Sequence, residues 1–247
     1  MTGRDGASER RRATALVYVE DLEAPALSSE DEHHLAGVRR LRPGEAVVAS
    51  DGRGGWRPCT ARPSGRRAVA LEVDGPVTRE PAPAPRLTVA FSLAKGERSE
   101  WAAAKLAELG VDRIVPLVCA RTVVRPDDEG GRRTERLARI IREAAMQARL
   151  VHLPELAPTT AFADLLAAEG GQACLAEPGG GAPSLAAPLA LVGPEGGWTT
   201  AELDAAAAQG VRTVTLSDHV LRVETAAVAA GVLLTALRRG LVRTDDH

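Results

Sequence analysis

Four side chains able to carry charge, Asp218, His219, Arg222 and Glu224, fall within seven residues between an apolar run and an alanine-rich one. A plain connector needs no such density of charge. The guanidinium of Arg222 can neutralise or hydrogen-bond a planar anion. Glu224 and Thr225 also suit the start of a helix, where a carboxylate and a hydroxyl cap free N–H groups. Upstream, Gly193-Pro194-Glu195-Gly196-Gly197 follows the apolar Leu191-Val192 and precedes Trp198. Adjacent glycines let a backbone approach a ligand closely or adopt positive φ, and Pro194 stiffens the turn. The loop then feeds a helix whose first N–H groups suit a carboxylate or a phosphate. A tight strand-to-helix turn would call for the same residues.

These segments share one plan: an apolar strand, a small or polar loop, and a helix start. With one helix and one strand between them, the two loops can lie side by side at one edge of a parallel sheet, where ligands of open α/β sheets bind. The surrounding pattern supplies such a sheet. Strands are expected over 87–93, 113–118, 173–176, 189–192 and 211–216. Helices are expected over 97–109, closed by Gly110, 132–149, 199–209 and 223–239. Thr199-Thr200-Ala201-Glu202 is a capping box, and Gly210 ends the helix it opens. Alternation of this kind implies an α/β fold with a mainly parallel sheet. Lys95-Gly96-Glu97-Arg98 falls at another strand end, so Lys95 or Arg98 can contact a phosphate or simply form a solvated first turn.

The first 75 residues read differently. Short β-like runs over 15–19, 45–49, 56–61 and 68–73 are separated by Pro43-Gly44, Asp51-Gly52 and Ser64-Gly65, the spacing of a small β-barrel. A short helix is expected from Ser29. Four prolines between Gly75 and Pro85 mark a semi-rigid linker. The expected domains are 1–75, the linker 76–86, and 87–247.

Residues 35–70 hold eight arginines against two acids, whereas residues 20–32 hold six acids and no Lys or Arg. Charge segregated in this way suits a basic face for phosphates, and arginine suits bidentate phosphate contact. Arg39, Arg40, Arg42, Arg53 and Arg57 are the candidates. The alternative is compositional, because arginine outnumbers lysine throughout. With a net charge of −2 over 247 residues, any nucleic-acid binding must be local. Aromatics are 2%, which disfavours stacking surfaces for bases, while 45% hydrophobic residues suffice for a core of Ala, Leu and Val. Cys59, Cys119 and Cys174 are far apart, so free thiols in a reduced compartment are expected and no metal site. His33-His34 does not change this, since adjacent histidines diverge. No run of about 18 apolar residues or signal-peptide core is present, so a cytoplasmic protein without membrane contact is expected. GxxxxGK[ST] and GxSxG are absent.

Leu191-Val-Gly-Pro-Glu-Gly-Gly197 and Val220-Leu-Arg-Val-Glu-Thr-Ala226 together resemble the signature of the bacterial 16S ribosomal RNA uridine-N3 methyltransferases of the SPOUT superfamily. Further blocks agree in order. They are His33-His34-Leu35 with Leu41-Arg-Pro-Gly-Glu45, Lys95-Gly96, Lys105-Leu-Ala-Glu-Leu-Gly-Val111, and Glu143-Ala-Ala145 with Gln147 and Pro154. Ser217 and His219 stand where the family usually has Gly and a basic residue.

The resemblance implies a C-terminal SPOUT domain with a deep trefoil knot, a PUA-like RNA-binding β-barrel before it, and a homodimer acting on 16S rRNA of the small subunit. It implies S-adenosyl-L-methionine as cofactor. Leu175, Leu191 and Gly193 through Gly197 would hold it from one side, with Leu216, Ser217, Val220, Leu221, Thr225 and Ala226 on the other. Arg222 would stabilise charge on the uracil, and Glu195 or Glu224 would accept a proton or orient that arginine. Lys95, Arg98 and Arg149 would join the arginines of the first domain on the RNA. Rival readings are a SPOUT enzyme acting on tRNA or another rRNA site, and a non-catalytic RNA-binding assembly factor.

Overall fold

The computed structural model of the chain describes residues 8, 10, 12–28, 41–64, 68–123 and 131–243. They fall into two compact units, Met1–Ala82 with Ala145–Leu153, and Pro83–Ala144 with Pro154–His247. The helix expected from Ser29, together with Arg39 and Arg40, lies outside the described residues.

The first unit is a five-stranded sheet of β1 (Ala15–Tyr18), β2 (Ala46–Ser50), β3 (Gly55–Ser64), β4 (Ala68–Val73) and β5 (Thr78–Arg79). The order is β1-β2-β3-β4, with β5 paired to β3; β1 and β2 are parallel and the other pairs antiparallel. Alternate residues bury on opposite faces. Ala15 and Val17 join Val47, Ala49, Cys59 and Ala61 in one cluster, whereas Leu16 and Tyr18 join Val48 and Trp56 in another. The second cluster is completed from mid-chain by Ala145, Met146 and Val151. Three backbone contacts hold that segment: Tyr18 donates its hydroxyl to Leu150 O at 2.8 Å, Gly54 N–H donates to Val151 O at 2.8 Å, and Leu153 N–H donates to Gly52 O at 2.9 Å. Thr78–Arg79, inside the proline-rich stretch, pairs with Gly55 and Trp56.

The second unit alternates β6 (Thr88–Ser92), α1 (Arg98–Leu109), β7 (Arg113–Val118), α2 (Arg132–Gln147, whose last residues belong to the first unit), β8 (Glu155–Leu156), β9 (Thr160–Ala161), α3 (Phe162–Glu169), β10 (Ala173–Gly181), β11 (Leu189–Val192), α4 (Thr200–Ala208), β12 (Arg212–Val214) and α5 (Val223–Arg238). Its sheet is parallel throughout, in the order β12-β10-β11-β6-β7-β8 with β9 also on β7. Both faces are covered, as parallel sheets require. Val89, Phe91 and Ile114 pack with α1, α2 and α5, while Ala90, Val115 and Leu117 pack with α3, α4 and Trp198.

Small residues let the helices approach closely where aromatics are scarce. Ala102, Ala103 and Ala107 of α1 are buried, as are Ala227, Ala230 and Gly231 of α5. A Cβ added at Gly231 would lie 2.6 Å from Leu106 Cδ2. Gly110 ends α1 at φ +80°, a left-handed conformation that glycine adopts without strain. Arg113 and Glu169 pair through two 2.8 Å bonds, tying the start of β7 to the end of α3.

Beside the short strands β5, β8 and β9, which were not expected, three features differ from the sequence expectation. Helix α3 was not foreseen: its N-cap, Ala161, offers no capping side chain, although Phe162, Leu165 and Leu166 bury one face. Strand β10 runs on to Gly181 with a register break after Ala176, so Glu177–Gly180 bulge out of the ladder. The loops after β11 and β12 are not immediate neighbours, because β10 lies between those strands.

Candidate functional site

The C-terminal ends of β10, β11 and β12 surround a cavity of about 260 Å³. Its walls are Ala176–Pro178 of β10, where the regular ladder breaks, Val192–Glu195 with Gly197 and Trp198 at the end of β11, and Leu216, Ser217 and His219–Leu221 after β12, closed by Val223 and Ala226 of α5. Three consecutive strand ends therefore build it, with β10 supplying the middle wall.

Trp198 fixes the loop after β11. Its Nε1–H donates to Ala176 O at 3.0 Å, and its ring meets Phe162 with centroids 5.1 Å apart. The loop turns where Gly197 N–H donates to Pro194 O at 2.8 Å, with Gly197 at φ +68°. From there the chain enters α4 through the expected capping box. Thr199 Oγ1 accepts from Glu202 N–H at 3.2 Å, and Glu202 Oε2 accepts from Thr199 N–H at 2.8 Å. The other oxygen of Glu202 accepts from Ala120 N–H at 2.8 Å, joining the loop after β7. Burial alone would raise the Glu202 carboxyl. Hydrogen bonds from Ala120 and Thr199, with Arg121 nearby, outweigh it and hold the carboxyl below the ordinary value. Arg121 Nη1 donates to Gly196 O at 2.7 Å and to Trp198 O at 3.2 Å. On the far side, His219 N–H donates to Ser217 Oγ at 3.1 Å, so Ser217 makes the turn.

Residues 80–235 match the family described as RNA methyltransferase domain, and residues 27–73 match the RNA methyltransferase PUA domain. The chain is 33% identical over 255 residues to the ribosomal RNA small subunit methyltransferase E of Mycobacterium tuberculosis, covering 87% of this chain and 88% of that one. The chain belongs to the ribosomal RNA small subunit methyltransferase E family. The family's Synechocystis member is 32% identical over 225 residues, 85% of this chain and 72% of that protein. Among solved structures, the Neisseria gonorrhoeae member bound to S-adenosyl methionine superposes with a TM-score of 0.75 at 26% identity, covering 90% of this chain and 97% of that one. A Legionella pneumophila methyltransferase in complex with its cofactor SAM gives 0.76 at 26% identity, over 90% and 96%. The architecture is thus the α/β SPOUT type with a PUA domain.

Of the residues singled out for a cofactor, Gly193, Pro194, Glu195, Gly197, Leu216, Ser217, Val220, Leu221 and Ala226 line the cavity. Leu175, Leu191, Gly196 and Thr225 do not. Leu175 and Leu191 are buried in the strands, Gly196 faces the side chain of Arg121, and Thr225 is exposed on α5. The lining also includes Ala176, Glu177, Pro178, Val192, Trp198, His219 and Val223, which were not among the expected cofactor contacts. The apolar run before Glu177-Pro178 was the available signal for the middle wall.

The candidate catalytic residues divide. Glu195 is at the rim, while Arg222 and Glu224 lie outside the lining, at the start of α5. Arg222 is exposed, with no hydrogen bond or ion pair from its side chain among the described residues. Glu224 is buried. Both carboxylates face Arg98, not Arg222: Arg98 Nη2 is 3.5 Å from Glu195 Oε1, and Nη1 is 3.7 Å from Glu224 Oε2.

The arginines proposed for RNA also divide. Arg53 and Arg42 are exposed, as is Lys95. Arg57 is buried and binds inward, donating to Gly75 O at 2.8 and 3.1 Å and to Leu22 O at 2.7 Å, so its guanidinium is committed to backbone carbonyls. Arg149 likewise donates to Met146 O at 2.9 Å and Thr14 O at 2.6 Å, holding the end of α2 to the start of β1. The three thiols are buried and pushed up by that burial, Cys59 and Cys174 to about 11 and Cys119 to about 12. Among the described residues no cluster of His, Cys, Asp or Glu is arranged to hold a metal, and no helix is long and apolar enough to cross a membrane.

Proposed function

We propose that the chain transfers a methyl group from S-adenosylmethionine to N3 of a uridine in 16S ribosomal RNA of the small subunit. The observation that carries this reading is one cavity walled by three parallel strand ends, with carboxylates at its edge. The lining suits such a cofactor. Val192, Leu216, Leu221, Val223 and Ala226 offer apolar surface for an adenine and a thioether. The backbone of the loops offers N–H and C=O groups to the base edge. Glu177 and Glu195 offer acceptors for hydroxyls and an ammonium.

When bound, that cofactor supplies an electrophilic methyl: the N3–C bond forms as the C–S bond breaks, and the bonding pair stays on sulfur. The chain's residues do the rest. Glu195 or Glu224 takes the N3 proton. Arg222, unengaged at the start of α5, meets the negative charge that develops on O2 and O4. The loops hold methyl and base in line, which removes much of the barrier. Arg42, Arg53 and Lys95 remain the candidates for phosphate contact, with the 1–75 domain as the RNA grip and 87–247 as the catalytic domain. The resemblance extends the proposal to a trefoil knot, a cytoplasmic setting and a homodimer. Val220, 91% exposed on the cavity rim, is apolar surface that a second copy would cover.

The test is transfer from labelled S-adenosylmethionine to small ribosomal subunits lacking the modification, with the product nucleoside identified by mass spectrometry. The proposal expects 3-methyluridine. A ribose-methylated nucleoside, or no incorporation, overturns it.

A further inference from the structure

We propose that Arg98 is a positioning residue, which ties Glu195 to Glu224 and acts through those carboxylates instead of through an RNA phosphate. The inference rests on the methyl-transfer reading above. Arg98 is the first residue of α1, and its Nε donates to Lys95 O at 3.2 Å, which orients the guanidinium fork. One arm lies 3.5 Å from Glu195 in the loop after β11, and the other lies 3.7 Å from Glu224 in the first turn of α5. A planar guanidinium can serve two acceptors at once.

Glu224 needs such a neighbour. It is 8% exposed, and its Oε2 accepts no hydrogen bond. A carboxylate removed from water is tolerated only beside a compensating charge. Arg98 supplies that charge from a different element, so it holds α5 to the cofactor loop as well as neutralising the acid. Both separations are longer than a strong charge-assisted hydrogen bond. The contact is therefore an electrostatic tether with room to tighten.

The local charge disfavours a phosphate role. Arg98 with two carboxylates carries a net charge of −1, which repels a phosphate. Lys95, exposed and three residues earlier, carries no such burden. Arg98 thus sets where the two candidate proton acceptors sit relative to the cavity, and its loss should appear in turnover and not in RNA affinity.

The test is a double-mutant cycle of Arg98→Gln and Glu224→Gln, with Arg98→Lys as the conservative variant. Arg98→Gln should lower kcat about 100-fold, the scale of a misplaced reacting group, with KM for the subunit within about twofold. Arg98→Lys should restore part of that loss. In the Glu224→Gln background, Arg98→Gln should cost little more, because the two act as one unit. Additive losses, or full activity in Arg98→Gln, overturn the proposal. So does a raised KM whose salt slope falls by about one contact at unchanged kcat, since that marks a phosphate ligand. The same cycle read on the urea midpoint measures the coupling without activity. Failure of the wild-type protein to methylate any RNA would remove the functional reading and leave the tether to be judged by that coupling.

Discussion

The indole of Trp198 lies against Gly193 so closely that a Cβ added at Gly193 would sit 2.9 Å from Cε2 and 3.1 Å from Cδ2. The space beside that glycine holds the ring that walls the cavity, and the same ring bonds the end of β10 through Ala176 O. The glycines of this loop have separate reasons. Gly193 admits the indole, Gly196 faces the aliphatic part of Arg121, and Gly197 takes a left-handed turn. At Gly193 and Gly196 the neighbouring side chains Trp198 and Arg121 already leave little room for a Cβ.

Gly193→Ala should therefore displace Trp198 and open the seam between the loop and β10. We expect a stability loss of about 1–3 kcal/mol, the usual cost of overpacking, and at least a tenfold weaker S-adenosylmethionine affinity by calorimetry. Gly196→Ala should change that affinity less than about threefold. Its Cβ would meet Arg121 Cδ at 3.2 Å, and a flexible arginine chain can give way. Equal effects of the two substitutions would mean that the indole does not wall the ligand site.

Much of this site was legible in the sequence because its signals are local. Thr199 and Glu202, three residues apart, announce the start of α4, and the structure has that capping box. The apolar runs before Gly193 and around Leu216 mark two walls. What escaped depends on parts of the chain far apart. Sheet order places β10 between β11 and β12, yet Glu177-Pro178-Gly179-Gly180 reads as an ordinary loop. Gly180 sits in that bulge with its Cβ position 2.5 Å from the backbone of Thr213 and Val214, a closeness only the folded sheet reveals. The count of arginines over 35–70 could not tell Arg57, which meets carbonyls of Leu22 and Gly75, from Arg53, which stays exposed.

Glu202 should make stability depend on acid pH. Its folded carboxyl is held below the ordinary glutamate value of 4.5, so its contribution is fully present above that value. It is lost as pH falls through the folded value. Glu202→Gln should cost about 1 kcal/mol at pH 7 by weakening the cap and the bond from Ala120. Urea unfolding at pH 7 and at acid pH checks this. The gap between wild type and variant should shrink as the acid is protonated, and a gap that widens would contradict the assignment.

The cysteines should be chemically silent while the protein is folded. Burial raises Cys59 and Cys174 to about 11 and Cys119 to about 12, so almost no thiolate exists at neutral pH, and the thiolate is the nucleophile. An alkylating reagent at pH 7.5 should label none of the three in the native protein and all three in urea. Rapid native labelling at Cys119 would show that the loop after β7 opens, taking the Ala120–Glu202 bond with it.

Arg57 and Arg53 should separate folding from RNA binding within one stretch of sequence. Arg57→Gln leaves the carbonyls of Gly75 and Leu22 without the guanidinium that binds them, and both of its donor arms are inside the fold. The expected cost is about 2–4 kcal/mol in urea unfolding, with weaker RNA binding only where the variant is unfolded. Arg53→Gln removes an exposed charge and should leave stability within about 0.5 kcal/mol. It should instead weaken binding to small-subunit RNA and reduce the slope of log affinity against log salt by about 0.7–0.9, the signature of one lost phosphate contact. The opposite pattern, a stable Arg57→Gln protein with a reduced salt slope, would return Arg57 to the RNA surface and remove it from the scaffold.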